Sequence, residues 1–365
     1  MRQATRLAFP PRSLPRHSRP AALAAGPDNA AAVRQLLLSA GLSPAQLTRV
    51  CQHAPLLECD AESEVAPRLA YYAFLRDTST SSWGWPQVAG EPRETVAAFV
   101  TRQPQALERR FSLLPCASPL FVALSKPWDT RHDVPRGWPG VQRFTPKFAG
   151  DTSCKEFLGA RFPNTTLRFC HQLDFATSGI LLAATTKPAA AAAAAAFAAR
   201  TARKEYACLA FGHPARDSWR RSDALSYDPC DATGFRMRAH SSEVPEGAKA
   251  AATSFSVLHR GFLALEGPFH GRPVALLRAV PSTGRRHQIR VHAAASGHPL
   301  VGDCAYSPDA DSYRTFLHAW ALELPLVPKH GVEYGGGGLP PLLRLRAPLP
   351  AGFGAAVVPP WAGEE

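Results

Sequence analysis

Apolar residues change their spacing along this chain, and the changes divide it. From about Asn29 to Phe111 the apolar positions recur at helical intervals. Ala32 to Leu38 runs to Gly41, a glycine stop, and Ser43-Pro44 then restarts a helix as N-cap and first helical residue. That second helix, Ala45 to His53, ends at Pro55-Leu56-Leu57. A further helix is expected around Val65 to Leu75, then a Ser/Thr/Trp/Gly-rich loop from Thr78 to Gly90. Thr95 to Val100 follows and leads to Pro104-Gln105-Ala106-Leu107. Beyond Ser118 the pattern shortens to strand-like runs. Leu120 to Leu124, Gly179 to Ala184, Glu205 to Gly212, Ala252 to His259, Phe262 to Glu266 and Val274 to Val280 read as strands. Lys187 to Ala202 reads as a helix, because its eight consecutive alanines (189–196) have the best helix propensity. Arg286 to Ser296 reads as a helix stopped by Gly297. Asp217 to Lys249 is polar and punctuated by Gly and Pro, which suits a surface insertion. The final thirty or so residues are rich in Pro and Gly, and residues 351–365 are expected to be poorly ordered.

Composition adds a partner. The 365 residues suffice for two or three domains, and 45% hydrophobic with 19% charged is a globular balance. A formal charge of +12 favours a polyanionic partner, although leader arginines account for part of it. No apolar run approaches the ~18 residues of a membrane span. The eight cysteines are scattered without a C-x-x-C pair, so they read as free thiols, and His287 and His292 have no carboxylate at ligand spacing. No metal is expected. Residues 1–27 carry five arginines and no acid, which fits an organellar transit peptide, of a mitochondrion or chloroplast; a disordered basic tail is the other reading.

Two stretches carry chemistry. His171-Gln172-Leu173-Asp174-Phe175-Ala176-Thr177-Ser178-Gly179 offers one carboxylate in a turn-forming setting, and Gly284-Arg285-Arg286-His287-Gln288-Ile289-Arg290 offers cations and amides. Taken alone, Asp174 is as readily a turn residue that accepts hydrogen bonds from the amides of Thr177 and Ser178. With Lys204-Glu205-Tyr206 between them, in this order, the stretches resemble the RluA-type pseudouridine synthases, in the subset reading His-Gln-Leu-Asp. These enzymes turn a uridine within RNA from an N- to a C-glycosidic link.

That resemblance, over residues 120 to 320, implies an α+β fold with a central mixed, largely antiparallel sheet flanked by helices and loops, preceded by a small α-helical region. It implies a catalytic domain at 118–350. Asp174 becomes the catalytic carboxylate, attacking ribose C1′ or removing a sugar proton. Arg290 becomes its salt-bridge partner, and Tyr206 stacks on the target base and can serve as general base. His171, Gln172, Thr177, Ser178, Gly179, Leu276, Leu277, Arg285, His287 and Gln288 are carried over as substrate-binding residues, Leu276-Leu277 as a wall beneath the uracil and Arg285 toward phosphate. Ordinary core packing accounts equally well for the two leucines. The family usually has Arg at the position of Gln172 and Lys-Pro-x-Gly where this chain has Lys126-Pro127-Trp128-Asp129.

The expected partner is structured RNA, ribosomal or transfer, with no membrane, no small-molecule cofactor and a monomeric protein. Residues 29–111 resemble repeats of the mTERF family, helical solenoids that bind nucleic acid in organelles; an ordinary helical cap is the competing reading. A catalytically inactive RNA-binding or RNA-folding factor of an organelle is the alternative function.

Overall fold

The structure, a computed structural model, describes residues 27–52, 54–57, 61, 65, 68–69, 95–107, 110–133, 152–231, 234–309, 311–335 and 338–360. The transit-peptide region, the Thr78–Gly90 loop and most of the expected Val65–Leu75 helix lie outside them.

The N-terminal helices form where their caps predict. Helix Pro27–Ser39 stops at Gly41, whose φ of 92° suits glycine. Ser43 accepts from the Gln46 amide while the Gln46 side chain accepts from the Ser43 amide, a capping box that opens helix Pro44–Cys51. Thr95 caps Val96–Arg102 in the simpler way, and a 3-10 turn follows at Pro104–Leu107. These elements build no core of their own. Val33, Leu37, Phe99 and Leu107 share one buried cluster with Trp128, Leu263, Tyr313 and Phe353 of the following region. Gln103 fastens the junction: its Oε1 accepts from the Tyr313 amide at 2.8 Å, and its Nε2 donates to the carbonyls of Glu266 and Asp311, both at 3.2 Å. The helical region is therefore a cap on the larger domain, and a free-standing solenoid is not what it builds.

The larger domain holds one large sheet and a separate three-stranded one. Its strands are β1 (Ser112–Leu114), β2 (Phe121–Lys126), β3 (Arg168–Phe169), β4 (Ser178–Ala184), β5 (Arg203–Phe211), β6 (Ser218–Arg221), β7 (Ala224–Tyr227), β8 (Met237–His240), β9 (Lys249–Ala250), β10 (Thr253–Leu263), β11 (Pro273–Pro281), β12 (Leu317–Pro325), β13 (Leu342–Arg346) and β14 (Val357–Val358). The main path runs β1-β2-β4-β12-β5-β11-β10-β14. All its pairings are antiparallel except β4 with β12, so the sheet is mixed and largely antiparallel. Strand β4 is buried along its whole length, as its unbroken apolar run requires. Helix Lys187–Ala198 covers it with its alanines.

Three expectations change. The two strands expected at 252–266 are one strand, β10, with a bulge between Val257 and His259. The polar insertion folds as a three-stranded sheet, β8-β7-β9. The tail expected to be poorly ordered forms helix Ala351–Ala355 and β14, with Phe353 and Val357 buried on the main core.

Candidate active site

The β3–β4 hairpin carries Asp174 in its loop, and the chain fixes that loop through its backbone. Lys126, buried at the end of β2, donates to the Phe175 carbonyl at 2.8 Å, and the Thr130 amide reaches the same oxygen at 3.2 Å. The His132 Nε2 accepts from the Leu173 amide, and the His171 Nε2 accepts from the Leu182 amide, both at 3.1 Å. The loop closes on itself where the Thr177 amide donates to the Asp174 carbonyl at 3.1 Å. Both imidazoles accept because burial keeps them neutral: the pKa of His132 falls to about 3 and that of His171 to about 4. The loop ends at Gly179, where φ is 106° and a Cβ would lie 2.2 Å from the Ala319 carbonyl oxygen. Only glycine permits that approach, which lets β12 run parallel to β4 there.

The second stretch forms a turn and the helix Gln288–Ala295. His287 opens it in the left-handed region, with φ of 54°. Gln288 builds the turn: its Oε1 accepts from Thr283 Oγ1 and the Arg285 amide, and its Nε2 donates to the Ala252 carbonyl and Thr253 Oγ1. Arg290 projects from the first turn of the helix.

Here the resemblance needs correction. Arg290 grips Asp303 with both arms of its guanidinium, Nε at 2.8 Å and Nη2 at 2.5 Å, and both residues are almost wholly buried. Among the described residues no ion pair joins Arg290 to Asp174. Arg290 acts on Asp174 at longer range, as a fixed positive charge. Burial pushes the Asp174 carboxyl above the ordinary carboxylate range; Arg290 opposes the rise, Asp303 adds to it, and Arg286 and Lys126 oppose it. Burial would release the Arg290 proton, but Asp303 holds it more firmly than usual.

Tyr206, on β5, shares the site. Burial, and then the Asp174 charge, push its phenol well above its ordinary value. A phenol so protonated is a poor general base and a weak acid at neutral pH; it offers a flat ring and a hydrogen-bond donor. Leu277 pairs with Cys208 and packs in the cluster that Tyr206 joins. Leu276 pairs with Leu209 and lies in the other core, on the opposite face of the sheet. The two leucines therefore cannot both line one wall.

Several residues expected to touch substrate hold the fold instead. Ser178 Oγ is buried, bonded to His318 Nδ1 at 2.8 Å and accepting from Arg314 Nη2 at 2.6 Å. Thr177, His287 and Gln288 are buried, and His287 Nδ1 bonds the Tyr306 hydroxyl at 2.7 Å. Gln172 is exposed beside the carboxylate, and Arg285 is half-exposed with its Nε on the Ala250 carbonyl at 3.2 Å. Asp303, Lys126, Arg286 and Tyr306 were not singled out from sequence. Asp303 stands in Gly297–Asp303, and Lys126 opens Lys-Pro-Trp-Asp; the signal was present without the role. Among the described residues no group of three His, Cys, Asp or Glu side chains could hold a metal ion, and no helix is long and apolar enough to cross a membrane.

Comparison with known proteins gives this geometry a context. The sequence pattern of the family described as RNA pseudouridylate synthase matches residues 149–295. Human RNA pseudouridylate synthase domain-containing protein 1 is 34% identical over 217 residues, 56% of this chain and 64% of that protein. The chain thus spans slightly under two thirds of that relative. Its zebrafish (Danio rerio) counterpart is 33% identical over 210 residues, 56% of this chain and 68% of that protein. The dual-specificity RNA pseudouridine synthase RluA of Vibrio vulnificus is 35% identical over 159 residues, 43% of this chain and 59% of that protein. The solved structure of the human domain-containing 1 protein superposes with a TM-score of 0.51 at 30% identity, covering 66% of this chain and 84% of that one. The mTERF resemblance finds no support in these comparisons.

Proposed function

The chain belongs to the RluA-type RNA pseudouridine synthase family, and from that premise we propose that it isomerises a uridine in RNA to pseudouridine, with Asp174 as the catalytic carboxylate. One observation carries the assignment to Asp174. Its loop is fastened through the Leu173 amide, the Phe175 carbonyl and the Thr177 amide, yet its carboxyl is left without an ion-pair partner among the described residues, beside the Tyr206 ring and a fixed Arg290. Proteins do not leave a carboxylate so placed for stability's sake.

The chemistry follows from what the residues can do. The Asp174 carboxylate attacks ribose C1′ or takes a sugar proton, and the bond from C1′ to uracil N1 breaks. The detached base turns against the Tyr206 ring; a bond forms from C5 to C1′ as the Asp174–C1′ bond breaks, or as the sugar proton is returned, and the C5 hydrogen leaves as a proton while N1 takes one up. Arg290, Arg286 and Lys126 favour the ionised carboxylate that starts the sequence. Nothing is oxidised or reduced. The substrate is a structured ribosomal or transfer RNA, drawn by the charge of +12.

RNA carrying tritium at uracil C5 tests this reading. Wild-type protein is expected to release the label, since C5 loses its hydrogen only on becoming the glycosidic carbon; no release from total organellar RNA contradicts it. The basic, acid-free residues 1–27 support an organellar address. A fluorescent fusion carrying them should enter mitochondria or chloroplasts, and a diffuse cytosolic signal counts against the address.

A further inference from the structure

The three-stranded sheet β8-β7-β9 has one feature its own stability does not require. Tyr227, at the end of β7, keeps 60% of its surface exposed, the most of any aromatic side chain among the described residues that expose large apolar area. It is not alone. The Arg286 guanidinium lies 5.7 Å from the Tyr227 ring centre and 5.3 Å from that of Phe235. Arg286 is itself exposed, and among the described residues no carboxylate pairs with it. A cation without an anion, laid on aromatic rings in water, is a surface built for something flat or negative.

The platform is fixed in advance. Asp231 Oδ2 accepts from the amides of Phe235 at 2.8 Å and Arg236 at 2.6 Å, which sets the hairpin turn that presents Phe235. The Phe235 ring packs edge-on to His287, at 4.8 Å between centres. The Tyr306 hydroxyl accepts from the Met237 amide at 2.8 Å and bonds His287, tying β8 to the turn that precedes Arg290. The platform therefore adjoins the turn that leads to Arg290, and Arg286 stands close enough to Asp174 to favour its charged form.

We infer that Tyr227, Arg286 and Phe235 form a stacking site for an unpaired nucleobase of the RNA, one that flanks the base entering the Asp174 cleft. Taking a base out of a helix leaves its neighbours unstacked, at a cost of a few kcal/mol. A ring and a guanidinium plane offered at the mouth of the cleft recover part of it, because both stack on any base. This site rests on the proposed function; Tyr227 and Phe235 have no part in the chemistry, while Arg286 also favours the charged form of Asp174.

The experiment uses the full chain carrying Asp174→Asn, so that nothing turns over, and two probes: a short oligouridylate and an oligomer of equal length with abasic riboses. Stacking predicts that the parent binds oligouridylate about five- to a hundred-fold more tightly than the abasic oligomer. Tyr227→Ala should remove most of that preference, Tyr227→Phe should keep it, and Arg286→Lys should weaken it while leaving abasic binding unchanged. A preference that survives Tyr227→Ala overturns the proposal, as does equal binding of both oligomers by the parent. Tritium release by the otherwise wild-type chain, run in parallel, separates the readings. Release without base preference condemns the stacking site alone; absent release condemns the proposed function and the stacking site that rests on it.

Discussion

Two carboxylates sit within one site, Asp303 buried and Asp174 half-buried, and are treated in opposite ways. Asp303 is wholly buried, and its oxygens take both arms of Arg290 and the Ala305 amide. Asp174 has its backbone held on every side, while its carboxyl is raised in pKa and lacks an ion pair among the described residues. The same charge on the same side chain serves structure in one loop and, on the proposed function, chemistry in the other. A carboxylate satisfied by a guanidinium fork has no reason to react. One kept apart from its counter-charge stays basic enough to attack or to take a proton.

Breaking the satisfied pair gives the largest effect on stability. Asp303→Ala leaves Arg290 buried and uncompensated, and should cost about 3–5 kcal/mol. Chemical denaturation measures it; a loss under about 1 kcal/mol would mean that the pair is not structural. Next comes the brace behind the Asp303 loop. Gln103→Ala strands the Tyr313 amide and two carbonyls, with an expected loss of about 1–3 kcal/mol. An unchanged melting temperature would show that the N-terminal helices do not hold that side.

Acid tests the Asp174 loop instead. His132 and His171 have folded pKa values lowered from 6.5 to about 3 and about 4, by burial first and then by neighbouring Lys126 or Lys204. The unfolded chain therefore binds protons first. Stability is full above pH 6.5 and falls as the pH drops toward 4, by about 1.4 kcal/mol per pH unit for each histidine. Denaturation across that range checks the sign, and flat stability refutes the neutral braces. The smallest effect is kinetic. Because Asp174 must ionise and its pKa is raised, activity should fall on the acid side at a pH above the ordinary carboxylate range. Arg286→Ala, which removes an opposing cation, should move that limb higher still; a downward shift would contradict it.

Much of this was legible from residue order. Gly41, Ser43-Pro44 and Thr95 marked helix ends, because caps act over three or four residues. Five strands of the main sheet, β2, β4, β5, β10 and β11, announced themselves as apolar runs, whereas β12 was not among those expected; the motifs singled out Asp174, Tyr206 and Arg290, which the fold brings within electrostatic reach of one another. What failed was anything decided across the fold. The partner of Arg290 lies thirteen residues on, at the end of Gly297–Asp303, where nothing in the residue order says which cation its carboxylate will meet. Ser178 and Gln288 belong to motifs that touch the site, yet their hydrogen bonds point into the protein, and sequence does not say which way a polar side chain faces. The tail around Phe353 looked disordered because Pro and Gly dominate it; its burial depends on a groove made by residues far upstream. Tyr227 belongs to no motif and Arg286 carried no role of its own within the second stretch; only folding brings them within 6 Å.

The account turns on Asp174 being the carboxylate kept for chemistry. The measurement is tritium release from C5-labelled RNA by Asp174→Asn, with its melting temperature taken on the same sample. The account predicts at least ~10³-fold slower release from a protein as stable as wild type or more so, since a buried charge has been removed. Release at the wild-type rate from a folded Asp174→Asn protein would contradict it.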